Sequence, residues 1–353
     1  MAVRDTDLIQ AWINVLKLSK LKKGDAVTVL TSDHTHPQTL RCAVTAVTML
    51  GAIVSRLDLP PVNAEKSLSR DPLAYLGTTP LTGNKPAIAA LKASDLVLDL
   101  MTLLFSPEQH DILQGGGKIL LAVEPPEVLL RMVPTQQDYV RTQAAAALLK
   151  GARQMRVTSV AGTDLRCPLG QYPCVSEYGF VDEPGRWDHW PSGFTFTWPN
   201  EGETQGTIVL SKGDILLPMK SYVGETITLT VKNGFVTDIT GGVEAQMLSE
   251  YIESFADPEA YAISHIGWGL QKRAYWSTLG LYDREATIGM DARAVSGNFL
   301  FSLGPNNEAG GSRTTACHID VPMRRCSVYL DELQVVADGR VVESTLTQRE
   351  SAQ

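Results

Sequence analysis

Residues 25–59, DAVTVLTSDHTHPQTLRCAVTAVTMLGAIVSRLDL, decide the fold. DAVTVLTS (25–32) is a β-branched apolar run, PQTLRCAVTAVTMLG (37–51) is helical, and AIVSRLDL (52–59) returns to strand character. Strand, helix, strand at this spacing is a parallel crossover unit. Working outward, NKPAIAALKA (84–93) adds a helix, while LVLDLMTLLF (96–105) and KILLAVEP (118–125) continue the strands. The glycines at 115–117 lack P-loop or Rossmann spacing and mark a turn before a strand. TQQDYVRTQAAAALLKGA (135–152) is a strong helix that leads out of an open parallel α/β sheet domain expected over residues 1–150.

From 151 to 353 the texture changes. RQMRVTSVAG followed by TDLRCPLG alternates like a hairpin, and GTIVLSKGDILLP, ETITLTVKNGFVTDITGG and GNFLFSLGP add short strands broken by Gly and Asn-Gly turns. One helix, EAQMLSEYIESF (244–255), interrupts them. The expected whole is α/β: an N-terminal parallel-sheet domain followed by a β-rich α+β metal-binding domain.

Composition bounds the function. Hydrophobic residues at 44% and charged residues at 20% describe a globular chain, and a net charge of −8 argues against binding a phosphate backbone. The ligand is therefore expected to be small, with no nucleic acid and no membrane among the partners. No run approaches the ~18 apolar residues of a membrane span, and the start MAVRDTDLIQAWINVLKL is charged throughout. The five cysteines are scattered without a CxxC pair, as suits reduced thiols. A cytoplasmic protein is expected, working as a homo-oligomer.

TACHIDVPM (315–323) places His318 and Asp320 two apart, so in a strand both project from one face. The pair fits a metal clamp or two ordinary polar side chains, and a metal needs a third ligand. His265 in SHIGWGL, ahead of two glycines, is either that ligand or a satisfied core histidine. His34 and His36 in SDHTHP share a His-x-His spacing, but their polar turn before Pro37 reads as a helix start. His110 in SPEQHD reads as an exposed helix residue.

Further stretches carry a resemblance: VTSVAGTDLRC (157–167), PSGFTFTWPNEGETQGTIVL (191–210), VKNGFVTDITGGVEAQML (231–248), HIGWG (265–269), GNFLFSLG (297–304) and HID (318–320). Through them the second half resembles the aminopeptidase T-like metallopeptidases, whose two-metal site this chain departs from. Phe194 stands where that family has a Glu after Pro-x-Gly, His265 replaces the Glu before Gly-x-Gly, and Leu300 replaces the strand His. Two apolar replacements cannot hold a cation. What remains is His265, His318 and Asp320, the ligand set of a non-haem Fe(II) oxygenase.

That combination is similar to the 2,5-dihydroxypyridine 5,6-dioxygenase branch of the scaffold. The resemblance implies Fe(II), O₂ and a small aromatic substrate, with ring opening to N-formylmaleamate in nicotinate degradation. A metalloaminopeptidase and an inactive binding protein are the competing readings. Phe194 and Leu300 are expected to make the pocket apolar, and Ser302, two residues beyond Leu300, to face the same cavity. His189 in the loop EYGFVDEPGRWDHWPSG is the expected acid/base group, with Glu177 beside it. Leu104 and Phe105, near the carboxyl end of a parallel strand, are expected to pack on the ring.

Overall fold

The opening crossover unit is present in the computed structural model, which describes residues 3–60, 76, 78–103 and 106–347. Strands Ala26–Thr31 and Ile53–Asp58 pair in parallel from Ala26 opposite Ile53 to Thr31 opposite Asp58, with helix Pro37–Met49 between them. Proline can stand in a first helical turn because that N–H has no partner within the helix. His36 caps the turn by accepting from the Thr39 N–H at 3.5 Å, and His34 is exposed, so SDHTHP begins a helix.

The first sheet is wholly parallel, in the order Ile53–Asp58, Ala26–Thr31, Leu96–Asp99, Ile119–Leu121, Trp187–His189. Its last strand comes from the segment EYGFVDEPGRWDHWPSG, which the sequence presents as a loop. Three residues carry too little periodicity to announce a strand; pairing with Ile119–Leu121 makes it one. Helix Asp5–Leu18 packs Leu8, Trp12, Val15 and Leu16 among Val27, Val29, Leu98 and Leu120 of the sheet's core. Each such side chain contributes about 1.5–3 kcal/mol of burial.

The remaining strands are antiparallel. The hairpin Gln154–Ser159/Asp164–Pro168 lies inside an eight-stranded sheet, and a five-stranded sheet runs in the order Ile319–Met323, Phe299–Leu303, Ile263–Gly269, Phe194–Thr197, Cys174–Glu177. Leu165, Ile208, Leu229 and Val328 of the larger sheet share one core with Ile266, Phe301 and Val321 of the smaller. Helix Val243–Glu253 takes the expected place, and the short helices Thr278–Leu281, Met290–Ala294 and Ser344–Thr347 are additional.

Partly buried ion pairs tie the early segments to the late ones. Arg131 grips both carboxylate oxygens of Asp291 at 2.8 Å, and the Arg273 guanidinium reaches Asp138 at 2.5 Å. Helix Gln136–Gly151 ends beside the expected boundary at 150. No helix among the described residues is long and apolar enough to cross a membrane, and all five cysteines are free.

Candidate metal centre and its cavity

Two strands of the five-stranded sheet bring the donor atoms together. Asp320 lies within Ile319–Met323 and His318 immediately precedes it, while His265 projects from Ile263–Gly269. The two Nε2 atoms are 3.2 Å apart, and Asp320 Oδ1 is 3.3 Å from His265 Nε2 and 3.6 Å from His318 Nε2. Ligand atoms set at right angles about 2.1 Å from one ion stand ~3.0 Å apart, so this triangle fits a single metal. Asp320 Oδ1 is buried with no hydrogen-bond partner, an expensive state for a carboxylate that coordination would relieve.

Electrostatics prepares the same atoms. Burial, with His318 and Arg293 adding to it, lowers His265 to about 3 against the opposing pull of Asp320, which leaves a neutral imidazole with a free lone pair. Burial pushes Asp320 upward, but His318, Arg293 and His265 outweigh it and hold the group well below the usual carboxylate range. His265 and Asp320 thus need no deprotonation near neutral pH.

The surroundings fix their aim. Pairing between Ile263–Gly269 and Phe299–Leu303 shifts register between Ile263 and Ile266, a bulge that turns His265 toward Asp320. Ser302 closes this gap: its Oγ accepts from the His265 N–H at 2.9 Å and donates to the His265 carbonyl at 3.3 Å. Gly267 and Gly269 allow close backbone approach, since a Cβ on either would strike the Thr195 or Val295 carbonyl.

Arg293, 2% exposed, donates from Nε to Asp320 Oδ2 at 2.6 Å and from Nη1 to the Ile288 carbonyl. Its helix Met290–Ala294 is pinned by Glu124, which accepts from the Met290 N–H at 2.7 Å and the Thr287 hydroxyl at 2.6 Å. Burial raises the Glu124 carboxyl to about 7 despite those bonds. Oδ2 of Asp320 is therefore spoken for, and Oδ1 alone faces the histidines.

An apolar wall flanks the centre. Phe194 and Leu300 are buried in one cluster with Phe196, Trp198, Ile288 and Met290. Phe196 and Trp198 place their rings 4.9 and 6.1 Å from that of His265. Phe196 had no place among the expected site residues, although FTFTW spaces residues 194, 196 and 198 by two along one strand face.

His189 sits at the carboxyl end of the last parallel strand, 3% exposed, with its ring stacked 5.5 Å from Phe194. Nδ1 lies 2.7 Å from the Pro191 carbonyl and so must be the donor there; Nε2 meets the Glu177 carboxylate. Burial favours the neutral form of each, but Glu177 still raises His189, and burial raises Glu177. The two titrate as one buried pair. Both imidazole nitrogens are engaged, and Glu177 is the member that lines a cavity of about 580 Å³ together with Trp187, Phe196, Trp198, His110 and Glu308. Leu104 and Phe105 lie outside the described residues.

Asp188 completes a second cluster of potential ligands with Glu177 and His189. It accepts from the Tyr178, Gly179 and His189 N–H groups at 3.0, 3.2 and 2.8 Å and from Arg186 at 2.7 Å.

Two imidazoles, that of His265 held neutral, and an ionised carboxylate converging beside an aromatic wall define a metal-dependent enzyme. Chain comparisons give the class its particular member. The family described as NicX, 2,5-dihydroxypyridine 5,6-dioxygenase, matches residues 7–343, and the chain belongs to it. It is 55% identical over 342 residues to the 2,5-dihydroxypyridine 5,6-dioxygenase of Pseudomonas putida KT2440, covering 97% of this chain and 98% of that relative. The solved structure of 2,5-dihydroxypyridine dioxygenase from Pseudomonas putida KT2440 superimposes with a TM-score of 0.95 at 54% identity, covering 98% of this chain and all of the other. AmpT from Thermus thermophilus superimposes with a TM-score of 0.64 at 14% identity, covering 96% and 99% of the two chains, and so shares the fold alone. The chain is thus a dioxygenase, whose substrates are a small molecule and O₂, and the peptidase resemblance is one of scaffold.

Proposed function

We propose that this enzyme uses Fe(II), held by His265, His318 and Asp320, to open the ring of 2,5-dihydroxypyridine to N-formylmaleamate in nicotinate degradation. The observation that carries this reading is the convergence of two Nε2 atoms on an otherwise unpartnered Asp320 Oδ1. Two histidines and one carboxylate on one side leave coordination positions for both substrate and O₂. Bound ferrous iron supplies the electron that lets triplet O₂ react with a closed-shell ring.

The protein's share is placement and proton handling. Phe196 and Trp198 provide apolar surface for a flat ring, with Phe194 and Leu300 packed behind them, and keep water from the reacting face. Glu177, facing the cavity, takes the hydroxyl proton as the substrate engages, and His189 behind it holds that proton through Nε2. His189 therefore acts through Glu177, because both of its nitrogens are already engaged. Arg293 fixes the orientation of Asp320, and Ser302 that of His265.

The deciding measurement is oxygen uptake by Fe(II)-loaded protein given 2,5-dihydroxypyridine under reducing conditions, with one O₂ expected per ring opened. Hydrolysis of leucyl peptides without oxygen uptake would move the assignment to an aminopeptidase.

A further inference from the structure

The cavity holds one carboxyl group more than the proposed reaction uses. Glu177 and Glu308 both line it, and no lysine or arginine does so among the described residues. Glu177 is committed to His189, and His110 at the same wall lies 2.7 Å from Gln114. Glu308 has no hydrogen-bond or ion-pair partner among the described residues. Its side chain is exposed at the cavity wall. The protein around it, reinforced by repulsion from Glu177, pushes the carboxyl upward and so favours a form that can donate as well as accept.

The loop that carries Glu308 is built to hold position. It joins strands Phe299–Leu303 and Ile319–Met323, which contribute Ser302 and Asp320. Beside it Asn306, fully buried, accepts from the Arg313 N–H at 2.9 Å and donates to the Tyr172 hydroxyl at 3.2 Å. A residue on such a loop can read a substrate edge, because its geometry is set before the ligand arrives.

We propose that Glu308 is the specificity-determining residue of this cavity: its carboxyl pairs with the lactam edge of the ring, the N–H and adjacent carbonyl that 2,5-dihydroxypyridine presents as a hydroxypyridone. This rests on the reading of the substrate given above. The lactam edge lies across the ring from the 5-hydroxyl, so a group reading it stands apart from the metal-facing side. All-carbon diols lack that edge and leave the carboxyl unmatched. Rings bearing a carboxylate would bring a further negative charge toward Glu177 and Asp320.

The test is an anaerobic titration of Fe(II)-loaded protein with 2,5-dihydroxypyridine and with hydroquinone, followed by the fluorescence of the cavity tryptophans, with oxygen uptake measured in parallel. Glu308→Ala should weaken the pyridine by about 10–100-fold, the worth of one hydrogen bond to an ionisable group, and hydroquinone by less than about threefold. Glu308→Gln, whose amide also donates and accepts, should stay within about threefold of the unmodified protein for both. Equal weakening of both ligands in Glu308→Ala, no weakening, or a Gln variant as poor as the Ala variant would each overturn the assignment. Unmodified protein that takes up oxygen with the pyridine while failing these contrasts removes Glu308 alone; unmodified protein that neither binds nor oxidises the pyridine removes the substrate reading, and this inference with it.

Discussion

Among the described residues two clusters offer two imidazoles and a carboxylate, or one imidazole and two carboxylates, within 4.8 Å of one another, yet their aspartates differ in what folding leaves them. Around Asp320, Arg293 takes one oxygen and the other meets two histidines with no hydrogen bond. Around Asp188, three backbone N–H groups and a guanidinium consume the carboxylate, and His189 spends both nitrogens on Pro191 and Glu177. Composition and proximity are alike. What separates the candidate metal centre from its polar neighbour is that Asp320 keeps an oxygen without a hydrogen bond, whereas Asp188 is saturated and Glu177 is held against His189.

The severest way to break this contrast is to remove a ligand from each cluster. His265→Ala, His318→Ala and Asp320→Ala should each lose the metal, found otherwise at one per chain, and abolish oxygen uptake. Asp188→Asn should keep the metal and instead lower stability, by about 3–5 kcal/mol for a broken buried ion pair. Metal analysis beside thermal unfolding reads both, and two tightly bound metals per chain would end the distinction.

A smaller effect tests the second cluster as a proton handler. Glu177→Gln and His189→Ala should retain the metal while turnover falls by roughly 10²–10⁴-fold. Because Glu177 raises His189, the unmodified enzyme should lose turnover as pH falls through a point above the ordinary ~6.5 of histidine. Without the carboxylate that acid limb should move to lower pH, since burial then acts on His189 with less opposition. A limb that stays in place in Glu177→Gln would show that the proton goes elsewhere.

Arg293→Met leaves all three proposed ligands in place but frees Asp320 Oδ2 to rotate. Metal affinity should fall by about 10–100-fold, read by competition with a chelator, and Arg293→Lys should recover part of it. The mildest change is His36→Ala, from the His-x-His pair outside both clusters. It should cost about 0.5 kcal/mol of stability, the low end for a helix cap, with metal content unchanged by metal analysis.

Legibility followed the range of the interactions. The crossover unit at 25–59 was readable because strand and helix periodicity are local, and the hairpin at 154–168 for the same reason. His318 and Asp320 were readable as a pair two residues apart, whereas the residues alone left His265 undecided until the family resemblance was added. Its aim depends on a bulge and on Ser302, 37 residues away. Arg293 sits in a short helix where an arginine looks solvent-facing, and only the approach of Asp320 makes it a buried clamp. Glu177 and His189 meet because their two strands belong to different sheets, a meeting that no window of sequence contains.

That fifth parallel strand has a consequence for synthesis. Ile119–Leu121 leaves the ribosome well before Trp187–His189, and until then its outer edge offers unpaired N–H and carbonyl groups. At about 5–20 residues per second the gap lasts several seconds. A nascent chain halted after residue 150 would hold four of the first sheet's five strands and an open edge, the kind of surface on which neighbouring chains pair. The strand that ends in His189 thus also seals the sheet, and a cell making this enzyme depends on rapid passage through that interval or on a chaperone that covers the edge.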